Sequence, residues 1–251
     1  MNDDAPIAWS ETPRCALLVS GDQLPLLRDI VTAHPVDLFL NDTSESALLE
    51  DAWKPWARRL RPLLKQRSGK LVICAPASIF PDPNNHAHIR ASLAQQLQAV
   101  CDVAVTLDAN AVFLPIEAAL PIFATRIHHY VTLLHERVHA QQMELIIHAG
   151  AGSDATALRE MLDAYVPAIQ LCSHTIGEGT LYWANADDIS TYAPVTLLGP
   201  FTDASNCRAA WQRWQDAQIA PSPETNTEDT PPPAQTAEDE RHDDPTSASS
   251  A

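Results

Sequence analysis

The chain alternates between short runs that are apolar at nearly every position and longer stretches in which apolar residues recur every three or four positions. The short runs fall at 15–20, 36–40, 71–75 and 103–107, each rich in Val, Leu or Ile. Each ends on polar or turn residues: Gly21-Asp22, Asn41-Asp42, Pro76 and Asp108-Ala109-Asn110. Runs of this length with no polar face suit strands buried on both sides, as in a parallel sheet. Between them, helical spacing predicts helices over 24–33, 46–66 and 88–101. The second carries Trp53, Trp56, Leu60, Leu63 and Leu64, with Pro55 and Pro62 as points where it kinks or divides. The first half therefore reads as a Rossmann-like, mostly parallel sheet.

From Pro121 the pattern turns helical, with Ile122, Phe123, Ile127, Tyr130, Leu133, Leu134 and Val138 on one period. No turn residue interrupts Ala140-Gln141-Gln142-Met143-Glu144, and these residue types favour helix. Segment 143–147 is accordingly expected to continue or closely follow that helix, a fifth strand being the alternative. Gly150 is the first good stop. Ser153 or Asp154 then caps a second helix through Leu158, Met161, Leu162 and Tyr165, reaching toward Leu171. Segments 180–183 and 195–198 read as edge strands, and Trp211 and Trp214 as part of a short final helix. The expected fold class is α/β: an N-terminal Rossmann-like sheet followed by a helical part.

The predicted organisation is an N-terminal extension (1–13), a single α/β domain (14–220, divided into a βα-repeat half, 14–110, and a helical half, 111–220) and an acidic tail (221–251). In the tail the only apolar side chain is alanine, and eight acids face one arginine. Such a segment buries too little surface to offset its ordering entropy and is expected to be disordered.

Composition narrows the function classes. Apolar residues make up 45% of the 251, enough for a sizeable core. The net charge of −16 argues against nucleic acid or anionic lipid as a partner. No apolar stretch approaches membrane-spanning length, and the acidic start lacks the order of a signal peptide, so a cytoplasmic location without membrane insertion is expected. The five cysteines are scattered, several inside apolar runs, which suits buried reduced thiols.

One cluster carries chemistry. In His135-Glu136-Arg137-Val138-His139 the histidines are four apart, so a helix presents both imidazoles on one face. Glu136 lies beside them, placed to take a proton from a metal-bound water. Glu160 follows the second histidine after a glycine-rich break and suits a third ligand returned by a helical hairpin. His128, His129, His86 and His88 read as surface, packing or cap residues. Segment 174–179 reads as a turn.

The stretch Val112-Phe113-Leu114-Pro115, then Leu120 and Tyr130-Val131-Thr132-Leu133-Leu134 leading into His135–His139, resembles zincin metallopeptidases of the gluzincin kind. It is most similar to the peptidase domains of antibiotic-sensor proteins. That resemblance implies zinc held by His135, His139 and Glu160, with Glu136 as general base and Asp163 beside the third ligand. It covers about residues 112–165, and Gln141-Gln142-Met143-Glu144 departs from the basic-basic-x-Asp run that often follows the second histidine. The sequence thus points to a zinc-dependent hydrolase, a metallopeptidase acting on a peptide or protein. The alternative is a non-catalytic Rossmann-like sensor, adaptor or binding protein working with a protein partner in a larger assembly.

Overall fold

Eight short apolar runs lie side by side in chain order, all parallel, and the last pairs with the first. They are β1 (Arg14–Val19), β2 (Asp37–Leu40), β3 (Leu71–Cys74), β4 (Ala111–Ile116), β5 (Glu144–Ala149), β6 (Gln170–Ser173), β7 (Leu181–Ala184) and β8 (Val195–Leu198). Cys15 sits beside Thr196 and Leu17 beside Leu198, which closes the sheet into a barrel. The structure, a computed structural model, describes residues 13–42, 48, 51–76, 88–116, 124–150, 158–160, 162, 170–174, 181–184 and 195–219. The chain divides into Met1–Ala220 and Pro221–Ala251. The acidic tail, like most of the N-terminal extension, lies outside the described residues.

Alternation along each strand sorts the core into two layers. Ala16, Leu18, Phe39, Val72, Phe113, Ile146, Cys172 and Leu197 belong to a cluster filling the barrel. Leu17, Leu38, Ile73, Val112 and Leu145 point outward and pack under the helices. Those helices are α1 (Arg28–Ala33), α2 (Trp53–Leu64), α3 (His88–Thr106), α4 (Ala124–Ala140) and α5 (Ala204–Ile219). This is the (β/α)8 arrangement, in which strands buried on both faces read as unbroken apolar runs.

The amino-terminal end of the barrel is closed by charge. Arg14 Nη2 lies 2.5 Å from Asp37 Oδ1, which also accepts the Lys70 backbone N–H at 2.7 Å. Lys70 Nζ is 3.8 Å from Glu144 Oε1, and Gln170 donates to Glu144 Oε2 at 2.9 Å. Burial raises the Asp37 and Glu144 carboxyl pKa values despite these partners. The network therefore fixes register more than it adds stability.

The expected Rossmann-like sheet followed by a helical part is corrected: five of the eight strands, β4 to β8, lie in the half expected to be helical. Segments 180–183 and 195–198 overlap interior strands of a closed barrel and are not edges. The run 103–107 is the end of α3 and the first residue of the turn after it; its apolar residues Val103, Ala104 and Leu107 are buried against the outer layer, and the strand begins at Ala111. Leu171 belongs to β6, with Leu158–Glu160 and Leu162 helical before it.

Segment 143–147 does not continue the helix. It forms most of β5, paired with β4 from Ala111↔Glu144 to Ile116↔Ala149. The reason lies at Gln142, which takes the left-handed conformation (φ 58°). Met143 N–H donates to Val138 O at 3.0 Å and Gln142 N–H to His139 O at 2.9 Å. These are the two bonds of a Schellman stop, with buried Met143 and Val138 supplying its apolar contact. α3 ends the same way: Asp108 has φ 57°, and Ala109 N–H reaches Ala104 O at 2.9 Å. Both stops use a residue other than glycine, so the one at Gln142 does not show in the sequence as a turn.

Gln142→Gly is expected to stabilise the chain by roughly 0.5–1 kcal/mol, because glycine removes the left-handed strain at some cost in unfolded-state entropy. Urea unfolding measures it. A loss of stability would mean that the Gln142 side chain makes contacts outweighing its backbone strain.

Candidate active site at the carboxyl-terminal mouth of the barrel

Inward positions continue to the carboxyl ends of the strands, where barrels of this kind place their chemistry. Along β5 they read Glu144, Ile146, His148, and along β6 Gln170, Cys172, with His174 next beyond the strand. His148 lies beside Cys172 in register. Two imidazoles from neighbouring strands thereby converge, with His148 Nε2 3.1 Å from His174 Nε2.

Aromatic side chains hold the pair. The Phe113 ring stacks near-parallel to His148, with centroids 5.7 Å apart. Trp183 stacks on His174 at 5.3 Å and lies 4.5 Å from His148. Its indole N–H donates to Gly199 O at 2.7 Å, which fixes the ring. His174 Nδ1 is 3.2 Å from Trp183 O. A carbonyl oxygen only accepts, so Nδ1 carries the hydrogen, and in the neutral ring Nε2 keeps its lone pair. That lone pair points at His148.

Burial, and then the neighbouring His174, push the His148 pKa down to about 4. The ring is neutral at pH 7, and one of its two nitrogens keeps a lone pair for coordination. Two nitrogens each 2.0–2.1 Å from one ion, at tetrahedral or octahedral angles, are roughly 2.8–3.4 Å apart. The observed 3.1 Å falls within that interval. The bond from His174 Nδ1 to a backbone carbonyl is also the kind that orients metal-ligating histidines. The pair therefore fits two ligands of one divalent ion. Among the described residues, no third His, Cys, Asp or Glu joins them in a metal-holding group. Burial raises the Cys74 and Cys172 thiols inside the barrel well above the ordinary range. All five cysteines are buried, and none forms a disulfide.

On the opposite side of the mouth, Asp42 accepts hydrogen bonds from Gly21 N–H and, at 3.0 Å, from the Trp56 indole. A Cβ on Gly21 would come within 2.6 Å of Asp42 Oδ2 and Trp56 Nε1. Asp42 thus ties the turn after β1 to α2. Burial raises its pKa.

The residues singled out from sequence lie elsewhere. His135, Glu136 and His139 occupy the last turns of α4, outside the barrel, with His135 partly buried and the other two exposed. The two histidine ring centroids are 5.7 Å apart. Glu160 is exposed, and Asp163 lies outside the described residues. Sequence reasoning passed over His148 and His174, the first as the end of an ambiguous apolar run and the second as part of a turn. The available signal was a histidine closing an apolar strand in both Leu145-Ile146-Ile147-His148 and Leu171-Cys172-Ser173-His174.

No family model matches the chain, and no curated protein matches it. Solved structures do. A xylose isomerase domain protein from Planctomyces limnophilus superposes with a TM-score of 0.55, at 11% identity, covering 83% of this chain and 98% of that one. The TTHB071 protein from Thermus thermophilus, soaked with ZnCl2, gives 0.55 at 17% identity, covering 80% and 96%. D-psicose 3-epimerase in the presence of D-fructose gives 0.54 at 10% identity, covering 78% and 89%. At such identities the likeness shows the fold. It overturns the zincin resemblance, because these neighbours are parallel barrels and the histidine helix is one of the barrel's outer helices. The metallopeptidase and hydrolase expectation falls with it. So does the sensor or adaptor alternative, which rested on an open Rossmann-like sheet. No helix among the described residues is long and apolar enough to cross a membrane.

Because His148 is held below the pKa of about 6.5 it takes in an unfolded chain, the unfolded state binds a proton that the folded site refuses. Stability is expected to be level above pH 6.5 and to fall between pH 6.5 and about 4, by no more than about 3 kcal/mol from this group. His148→Gln removes the titration, so urea unfolding at pH 7 and pH 5 should show a smaller acid loss in the variant. An equal loss would place the acid sensitivity in other groups.

Proposed function

We propose that the barrel is an enzyme of the sugar isomerase or epimerase class, which moves hydrogen between neighbouring carbons of a small hydroxy-carbonyl compound or removes and returns it at one carbon. A divalent ion, zinc being the first candidate, would be held by His148 and His174. The observation that carries the reading is the 3.1 Å pair of Nε2 atoms at the carboxyl-terminal mouth. Fold alone does not choose a chemistry. The reading is supported where the fold's usual site for catalysis coincides with neutral, oriented nitrogen donors. It agrees with the names of the structural neighbours, a xylose isomerase domain protein and a D-psicose 3-epimerase, and with the zinc soak of a third.

When bound, such an ion polarises a carbonyl or hydroxyl oxygen and so eases loss of the proton on the adjacent carbon. The described residues prepare the site for that step. Burial keeps His148 unprotonated, so it does not repel a cation. The Trp183 carbonyl fixes the tautomer of His174 and leaves Nε2 facing inward. Phe113 and Trp183 wall the pair and exclude water, which strengthens every polar interaction made there. The His148 ring, with a pKa near 4, is too weak a base to take a carbon-bound proton at pH 7, which favours a ligand role for it.

The test is a panel of aldoses and ketoses incubated with chelator-treated protein, with and without added Zn2+, Mn2+ or Co2+, and analysed for interconversion. Activity is expected only with metal. His148→Ala and His174→Ala should each lower kcat/KM at least about a hundredfold, or roughly 2.7 kcal/mol of transition-state stabilisation. No conversion of any member of the panel, together with unchanged metal uptake in both variants, would sink the proposal.

A further inference from the structure

The geometry points to a second metal site on the outside of the barrel, where His135 and His139 of α4 together take a borderline divalent cation of the zinc, nickel or copper kind. It is independent of the reaction proposed for the mouth. The two rings project from one face of the helix, one turn apart, with centroids 5.7 Å apart and planes inclined by 36°. Rings sharing an ion through nitrogens about 2.0–2.1 Å away would have centroids roughly 4.5–5.2 Å apart. Side-chain rotation of under about an ångström closes the gap, and exposed His139 is free to make it.

The surroundings favour a cation. The pair lies at the carboxyl end of α4, the negative pole of the helix dipole. Glu136 adds a negative charge that acts on His135. Arg137, the cation between the two histidines in sequence, is turned aside: its Nη1 donates to Ala94 O of α3 at 3.3 Å. Two imidazole nitrogen donors select zinc, nickel or copper over magnesium or calcium, which want oxygen. Among the described residues no third His, Cys, Asp or Glu completes the group. Water fills the remaining positions, and affinity is accordingly in the micromolar range rather than that of a closed structural site. A bound ion would pin the last turn of α4, whose stop at Gln142 sets where β5 begins.

The test uses the full chain without a histidine tag, stripped by chelator, in a His148→Ala/His174→Ala background that removes the mouth pair. Titration calorimetry with ZnCl2 or NiCl2 at pH 7.5 should show one equivalent, and MgCl2 none. Adding His139→Ala should weaken uptake at least about tenfold, and lowering the pH to 5.5 should abolish it. If the double variant fails to fold by circular dichroism, the comparison is His139→Ala against the wild type, expected to lose one equivalent. Absence of zinc or nickel uptake in the folded double variant overturns the outer site, as does uptake that His139→Ala leaves unchanged. Failure of the mouth reading would look different, with wild type and double variant binding the same number of ions.

Discussion

A parallel strand at the edge of a sheet leaves a row of backbone groups without partners, and this chain removes both edges by pairing β1 with β8 across the full length of the domain. The rest of the structure depends on that pairing. Closure creates an inside, so strand alternation now separates a barrel filling from a layer beneath the helices. It forces Arg14, Asp37, Lys70, Glu144 and Gln170 together at one end, where each carboxylate has a partner although burial disfavours its charge. At the other end it brings the last inward positions of β5 and β6 and the Trp183 ring of β7 around one point. In an open sheet the same residues would line an edge or a crevice with no common focus.

The first three strands were legible because their apolar runs are unbroken and end in Gly, Asn or Pro. The remainder was obscured by two physical features. Helices on the outside of a barrel bury a broad face, so Val103-Ala104-Val105-Thr106-Leu107 at the end of α3 and into its stop has the composition of a strand. The stops of α3 and α4 also fall at Asp108 and Gln142, whose left-handed conformations are imposed by the hydrogen bonds of the turn. With no glycine to mark the second stop, Glu144-Leu145-Ile146-Ile147 joined the preceding helix on propensity alone. β7 and β8 were legible as strands, though not as interior ones, while β6 was read as the reach of the preceding helix. Closure itself is a contact between residues some 180 positions apart and leaves no local trace.

The candidate site was illegible for a related reason. A spacing of four within one helix can be counted along the chain, whereas His148 and His174 are 26 positions apart and meet only because β5 and β6 are neighbours in register. Burial also gives the mouth pair properties that composition does not report. It lowers the pKa of His148, and the aromatic walls fix the rings where two nitrogens face each other.

The two histidine pairs of this chain differ in how much of their geometry is already set. At the mouth, strand register, the Trp183 carbonyl and the Phe113 ring fix the imidazoles before any ligand arrives, so little ordering remains to be done on binding. On α4 the backbone fixes only the spacing, and at least one ring must turn before both nitrogens reach a common ion. Preorganisation therefore favours tighter binding at the mouth, although both sites offer two nitrogen donors. It also separates their roles. A site whose ligands are already in place can hold an ion against a reacting substrate, while an exposed pair on a helix end can do little more than respond to the ion and stiffen the turn that carries it.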